Sequence, residues 1–88
     1  MKDDKMTTIK YFSAIWCAPC KLFKPVMQEL SNEGLNIEFI DVDEDSTQAA
    51  KYMIRSVPTC VIEVNGMEVN RWSGTLPKEE VRKRYNNQ

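Results

Sequence analysis

The 88-residue sequence has no histidine, three glycines, three cysteines, and no apolar run long enough to cross a bilayer. Without histidine, and with Cys60 as the one cysteine beyond Cys17 and Cys20, four good zinc ligands are hard to assemble, and the two-plus-two ligand spacing of zinc sites is missing. Three cysteines do not make the disulfide framework of a small secreted domain; the odd count fits one working pair plus a free thiol. A net charge of −1 gives no footprint for nucleic acid or an acidic membrane. The basic cluster Arg82-Lys83-Arg84 falls at the end of an expected helix, where cations complement the dipole. The charged start, Met1 to Met6, precedes too short an apolar stretch for a signal peptide or a membrane span, which points to the cytoplasm. Asp41, Asp43, Glu44 and Asp45 lack the glycine and distal glutamate of a calcium loop, so capping and solubility explain them. No repeat, low-complexity tract or linker interrupts the chain.

What is present is an ordinary globular composition, 42% hydrophobic and 28% charged, sized for a single domain over residues 1–88. After a frayed lead-in over residues 1 to 6, Thr7 to Ala14 is β-branched and aromatic, with Ile9, Tyr11 and Ser13 on one face and Lys10, Phe12 and Ala14 on the other. This strand feeds Trp16-Cys17-Ala18-Pro19-Cys20-Lys21, a dithiol at the start of a helix expected from about Ala18 to Ser31. Helix N-terminal N–H groups and the dipole favour a thiolate on the first cysteine, so Cys17 is the expected nucleophile. Cys20, one turn on, is placed to attack the resulting mixed disulfide. Pro19 lies where a missing N–H costs nothing. Two buried, inert cysteines are the bland alternative. Leu22, Phe23, Val26, Met27 and Leu30 form the apolar stripe of this helix, and Pro25 should kink it.

A second strand, Ile37 to Asp43, follows with the crossover length of a parallel pair. A short helix should begin near Asp45 or Ser46 and carry Ala49, Ala50, Tyr52 and Met53. Beyond Val57-Pro58-Thr59 come a strand over Cys60 to Val64, the Asn65-Gly66 hairpin signal and an antiparallel strand from Met67 to Trp72. Gly74 marks a close approach or a turn, and Pro77 opens a last helix through Val81 to Tyr85, with Leu76, Val81 and Tyr85 facing the sheet. The order is βαβ, α, ββ, α.

Trp16-Cys-Ala-Pro-Cys-Lys21, Pro25, the run Lys51 to Thr59, the Asn65-Gly66 hairpin and Gly74 together resemble the thioredoxin family, in its order and near its spacing from Ile9 to Tyr85. The resemblance implies an α/β thioredoxin-like fold with a four-stranded mixed sheet of order 2-1-3-4 and three helices, lacking the family's N-terminal strand and helix. It implies a cis Pro58 against the dithiol, with the Val57 backbone pairing with an incoming peptide, and an apolar docking patch of Trp16, Ala18, Pro19, Val57, Pro58 and Gly74. The implied activity is reduction of protein disulfides by the Cys17/Cys20 dithiol, with that disulfide as the redox centre and no bound cofactor. The implied electron donor is an NADPH-dependent thioredoxin reductase, ribonucleotide reductase is a candidate acceptor, and the chain would act as a monomer. A glutaredoxin-like, glutathione-dependent reductase is the alternative, although a Cys-Pro-Tyr-Cys motif and a Gly-Gly-Asp-like stretch are missing; a non-catalytic binding module is the third reading.

Where the family usually carries a buried aspartate and its companion lysine, this chain has Tyr11 and Phe39. The change implies either slower resolution by Cys20, with water or the Tyr11 hydroxyl in a weaker role, or a gain in packing from avoiding two buried ions. Cys60 reads as a buried small hydrophobe, or as a third thiol able to capture Cys20. Strand alternation sets Trp72 on a polar face with Glu68 and Asn70, as a partner-contacting aromatic or an edge cap.

Overall fold

The computed structural model describes residues 5–88, so positions 1 to 4 of the expected lead-in lie outside the described residues. Seven elements follow: β1 (Thr7–Ser13), α1 (Ala18–Asn32), β2 (Ile37–Asp41), α2 (Ser46–Lys51), β3 (Thr59–Val64), β4 (Met67–Ser73) and α3 (Lys78–Asn86). One mixed sheet runs in the order β2-β1-β3-β4, with β1 parallel to β2 and antiparallel to β3, and β3 antiparallel to β4. The expected topology holds. Met6 is not frayed: its N–H donates to Asn65 Oδ1 and its carbonyl accepts the Asn65 N–H.

The strand alternation of β1 divides the interior. Ile9 and Tyr11 join Phe23, Met27, Leu30, Cys60, Ile62, Trp72 and Val81 in the larger core, under α1 and α3. Phe12 faces the other way, into a smaller cluster with Ile40 and Val61 that Val42, Tyr52 and Ile54 complete. Tyr85 ties α3 to the sheet, its hydroxyl donating to the Thr7 carbonyl and accepting the Asn36 N–H. Among the described residues no helix is long and apolar enough to cross a membrane.

Three local expectations are corrected. Leu22, assigned to the apolar stripe of α1, is 79% exposed; the buried face of that helix is Cys20, Phe23, Met27 and Leu30. The helix α2 stops at Lys51, so it carries neither Tyr52 nor Met53. Met53 takes a left-handed φ of 53°, its N–H reaches the Ala50 carbonyl, and the Ile54 N–H reaches that of Ala49, the paired bonds of a Schellman stop. Gly34 ends α1 in the same manner, at φ 108° and at no steric cost. Finally, Trp72 is a core residue, 8% exposed, with the Arg84 guanidinium 5.4 Å from its ring centroid.

The cause of the Trp72 correction is a bulge in β4. Ile62 pairs with Asn70 but Glu63 pairs with Glu68, which leaves Val69 as an extra residue. One inserted residue reverses the alternation, so Glu68 and Trp72 occupy opposite faces of the sheet. The hairpin itself closes through Asn65 and Gly66, both at positive φ as a two-residue turn of this kind requires.

The two sides of α1 should separate cleanly in urea unfolding followed by circular dichroism. Met27→Ala, which empties a fully buried site, should cost about 2–5 kcal/mol. Leu22→Ala, at an exposed site, should stay within about 0.5 kcal/mol of the parent.

Candidate active site at the strand-to-helix turn

Cys17 sits where β1 gives way to α1. Its N–H bonds to the Ala14 carbonyl, its own backbone is extended at φ −90° and ψ 111°, and its carbonyl accepts the Lys21 N–H at 3.2 Å, the first turn of the helix. A serine or aspartate at such an N-cap would accept a helical N–H with its side chain. Here sulfur does so: the Cys20 N–H donates to Cys17 Sγ at 3.2 Å. The two cysteines form a disulfide across 5.2 Å between Cα atoms, and both are largely buried. A thiolate released at Cys17 faces an N–H group and the positive end of the helix dipole.

A second segment closes on the first. The Val57–Pro58 peptide bond is cis, and the Val57 carbonyl oxygen lies 3.6 Å from Cys17 Sγ. Gly74 donates its N–H to the Pro58 carbonyl at 2.8 Å, which ties the end of β4 to this loop. Its φ of 90° explains the glycine, and nothing lies within 4 Å of where a Cβ would stand, so it is a turn and not a close approach. Thr59 Oγ1 fixes the loop from below by donating to the Ser56 carbonyl at 2.8 Å.

Of the six residues expected to form a docking patch, Trp16, Ala18 and Pro19 are exposed, and Val57 and Gly74 are partly so. The Pro58 side chain is fully buried, beneath that surface. Trp16 is anchored by its indole N–H, which donates to Asp43 Oδ2 at 2.8 Å. Asp43 is in turn held in a turn where Asp41 Oδ1 accepts the Asp43 and Glu44 N–H groups. Sequence reasoning assigned these acids to capping and missed the contact with Trp16, which joins residues 27 positions apart and leaves no local signal. Ile15 and Leu22 add exposed apolar surface beside the turn.

Beneath Cys20 lies Tyr11, fully buried, its ring edge-on to Phe23 and Phe39. Its hydroxyl donates to the Cys20 carbonyl oxygen at 3.3 Å, a contact with backbone and not with sulfur. Burial, with a contribution from Cys60, pushes the Tyr11 phenol up to about 12. Phe39 is exposed on the outer strand β2, although its ring meets Tyr11. It borders a cleft of about 470 Å³ between α1 and β2 that reaches Cys20 and is rimmed by Lys21, Lys24, Asp41 and Glu44. Cys60 pairs with Tyr11 on one side and Trp72 on the other, wholly inside the core, and burial raises its thiol far above the ordinary range. That environment makes it inert packing.

Burial of the Tyr11 phenol makes folding stability depend on pH at the alkaline end. The unfolded phenol loses its proton near 10.0 while the folded one holds it to about 12, so stability is complete below pH 10 and falls as pH rises through that interval. Tyr11→Phe should lose less stability than the parent between pH 10 and 12, as measured by denaturant midpoints across that range. Spectroscopic titration of tyrosinate should lack one late-ionising group in the variant.

The family model described as Thioredoxin matches residues 1–87. A thioredoxin of Mycoplasma genitalium is 39% identical over 85 residues, covering 94% of this chain and 83% of the relative. A Staphylococcus aureus thioredoxin is 42% identical over 73 residues, 80% of this chain and 70% of its own length. Among solved structures, a mutant thioredoxin from Halobacterium salinarum superposes with a TM-score of 0.86 at 29% identity, over 92% of this chain and 73% of that one. Fasciola hepatica thioredoxin gives 0.84 at 31%, over 92% and 79%. Together with a Cys-x-x-Cys pair closed across a helix N-terminus, these matches make the chain a member of the thioredoxin family and a thiol-disulfide oxidoreductase that reduces protein disulfides.

Proposed function

We propose that Cys17 is the attacking thiolate and Cys20 the resolving thiol of a single-domain, cytoplasmic, monomeric reductase. The observation that carries the assignment is the hydrogen bond from the Cys20 N–H to Cys17 Sγ, which singles out one sulfur of the pair for stabilisation as an anion. Cys17 thiolate attacks one sulfur of a substrate disulfide, forming a mixed disulfide and expelling the other substrate sulfur as a thiolate. Cys20, deprotonated, then attacks Cys17 Sγ, closes the internal disulfide and releases the second substrate thiolate. Two electrons pass from the dithiol to the substrate, so no bound cofactor is required. Thioredoxin reductase, drawing on NADPH, restores the dithiol; protein disulfides are the acceptors, ribonucleotide reductase among the candidates.

Docking uses the surface around Cys17. Trp16, Ala18, Pro19, Val57 and Gly74 contribute exposed or half-exposed apolar area, while Pro58 shapes the loop from beneath. An incoming extended peptide pairs with the Val57 backbone beside Cys17 in the manner of an added strand. Tyr11 acts in packing and in holding the Cys20 backbone, because its hydroxyl is spent on a carbonyl and its proton is held to about 12. A phenol so held is a poor general base near neutrality. The cleft beside Phe39 reaches Cys20, which leaves solvent entering there as the acceptor for its proton.

Mass-spectrometric redox titration in glutathione buffers, with alkylation of free thiols, tests the assignment. Cys17 and Cys20 should close to an internal disulfide that opens only under strongly reducing conditions, with Cys60 alkylated only after unfolding. Cys17→Ser should abolish protein-disulfide reduction, and Cys20→Ser should accumulate a mixed disulfide on Cys17. A lasting glutathione adduct on Cys17 of the parent would favour a glutathione-dependent reductase, and failure to form the internal disulfide at any poise would leave a binding module.

A further inference from the structure

The apolar stripe of α1 is wider than the core beneath it, and the surplus lies beside the dithiol. Leu22 projects into solvent one turn past Ala18 and one turn before Val26. These three residues and Pro19 line one wall of a groove of about 410 Å³, with Phe23 at its base and Thr75 and Leu76 along the opposite wall. One end opens at Ala18 and Pro19, between the two cysteines. Thr75 follows Gly74, whose N–H is bonded to the Pro58 carbonyl, so the groove is continuous with the surface around Cys17. Farther along α1, Lys78 bridges from α3 to Glu29 and Glu33. From Ala18 to Val26 the helix rises about 12 Å, the length of roughly three to four residues of extended chain.

We propose that this groove is a specificity subsite for an apolar substrate side chain two to four residues from the reactive cysteine, with Leu22 setting the preference. The proposal rests on Cys17 being the attacking sulfur. A protein disulfide has to seat one sulfur at Cys17, so the surface adjoining Ala18 and Pro19 is covered during the reaction, and the chain flanking the substrate cysteine must run over some part of it. None of the groove-lining residues is charged. A leucine, methionine or phenylalanine entering it sheds apolar surface from water. An aspartate or lysine would lose hydration there without gaining a partner. Two disulfides of equal chemical reactivity are thereby told apart by their neighbours.

The test uses the full chain, pre-reduced, in single-turnover stopped-flow reduction of two synthetic peptide disulfides that differ only in leucine or aspartate three residues from the cysteine. Varying peptide concentration separates half-saturation from the limiting rate. The parent should prefer the leucine peptide by about tenfold, through half-saturation and not through the limiting rate. Leu22→Asn should bring that ratio close to one, and Leu22→Met should restore it, with circular dichroism confirming that both variants are folded. A parent indifferent to the two peptides, or a preference that survives Leu22→Asn, overturns the subsite. So does a Leu22→Asn effect that is equally large on a small aromatic disulfide without flanking residues, since Leu22 would then act on the dithiol. Retention of peptide reduction by Cys17→Ser is the separate result that would overturn the attacking-sulfur assignment beneath it.

Discussion

The hydrogen bond from the Cys20 N–H to the Cys17 sulfur is the contact around which the site is arranged. It places sulfur in the role that an oxygen usually plays at a helix start, and it makes the two cysteines unequal although they stand three residues apart. Everything that locates this bond is structural in the plain sense. A parallel strand delivers Cys17, the first turn of α1 presents the N–H, and the cis loop at Val57–Pro58, tethered through Gly74, fixes what faces the sulfur from outside. Chemistry at the turn therefore depends on the sheet order, since β1 lies between β2 and β3 and carries the loop from β3 with it.

Beneath the dithiol the buried Tyr11 lies between two aromatic rings, Phe23 inside the core and Phe39 at the exposed edge of the sheet. Tyr11 meets Phe23 and Phe39 edge to face at centroid distances of 5.7 and 5.6 Å. Such an arrangement avoids the desolvation cost of a buried ion pair and leaves the phenol one backbone acceptor. It also leaves the approach to Cys20 to the cleft at the edge of the sheet, with Lys21 and Lys24 on the α1 side and Asp41 and Glu44 on the β2 side. The larger core stays apolar apart from the Tyr11 hydroxyl, the Cys60 thiol and the Trp72 indole N–H, which has no hydrogen-bond partner among the described residues.

Features governed by short spacing were readable in the chain itself. The cysteine pair with Pro19, the positive-φ hairpin at Asn65-Gly66 and the βαβ crossover each rest on a few adjacent residues or on one period, and each is present. What escaped depends on distant partners or on a single irregular residue. Leu22 has the spacing of a core position, but periodicity cannot say how wide a stripe the neighbouring elements cover; α3 leaves that flank open. Trp72 was placed on the wrong face because an inserted Val69 reverses the alternation, and nothing in Glu68 to Trp72 announces the insertion. Met53 ends α2 in a conformation that residues other than glycine, asparagine and aspartate rarely adopt, so its identity argued for helix while its backbone stops one. The bond between Trp16 and Asp43 exists only once β2 lies beside β1.

The outer edge of β2 has a bearing on how this protein behaves at high concentration. An unpaired edge strand is a template on which another chain can grow a sheet, and long, flat, apolar edges invite aggregation. Here the edge is five residues long and carries Glu38 and Asp41 on either side of Phe39. Lys10 of the neighbouring strand grips Glu38, while Asp41 accepts the next two free N–H groups of the chain and turns it away from the strand direction. The same aspartate that sets the turn holding Trp16 in place thus also cuts short the sheet edge beside the dithiol, and leaves little strand there for a second chain to extend.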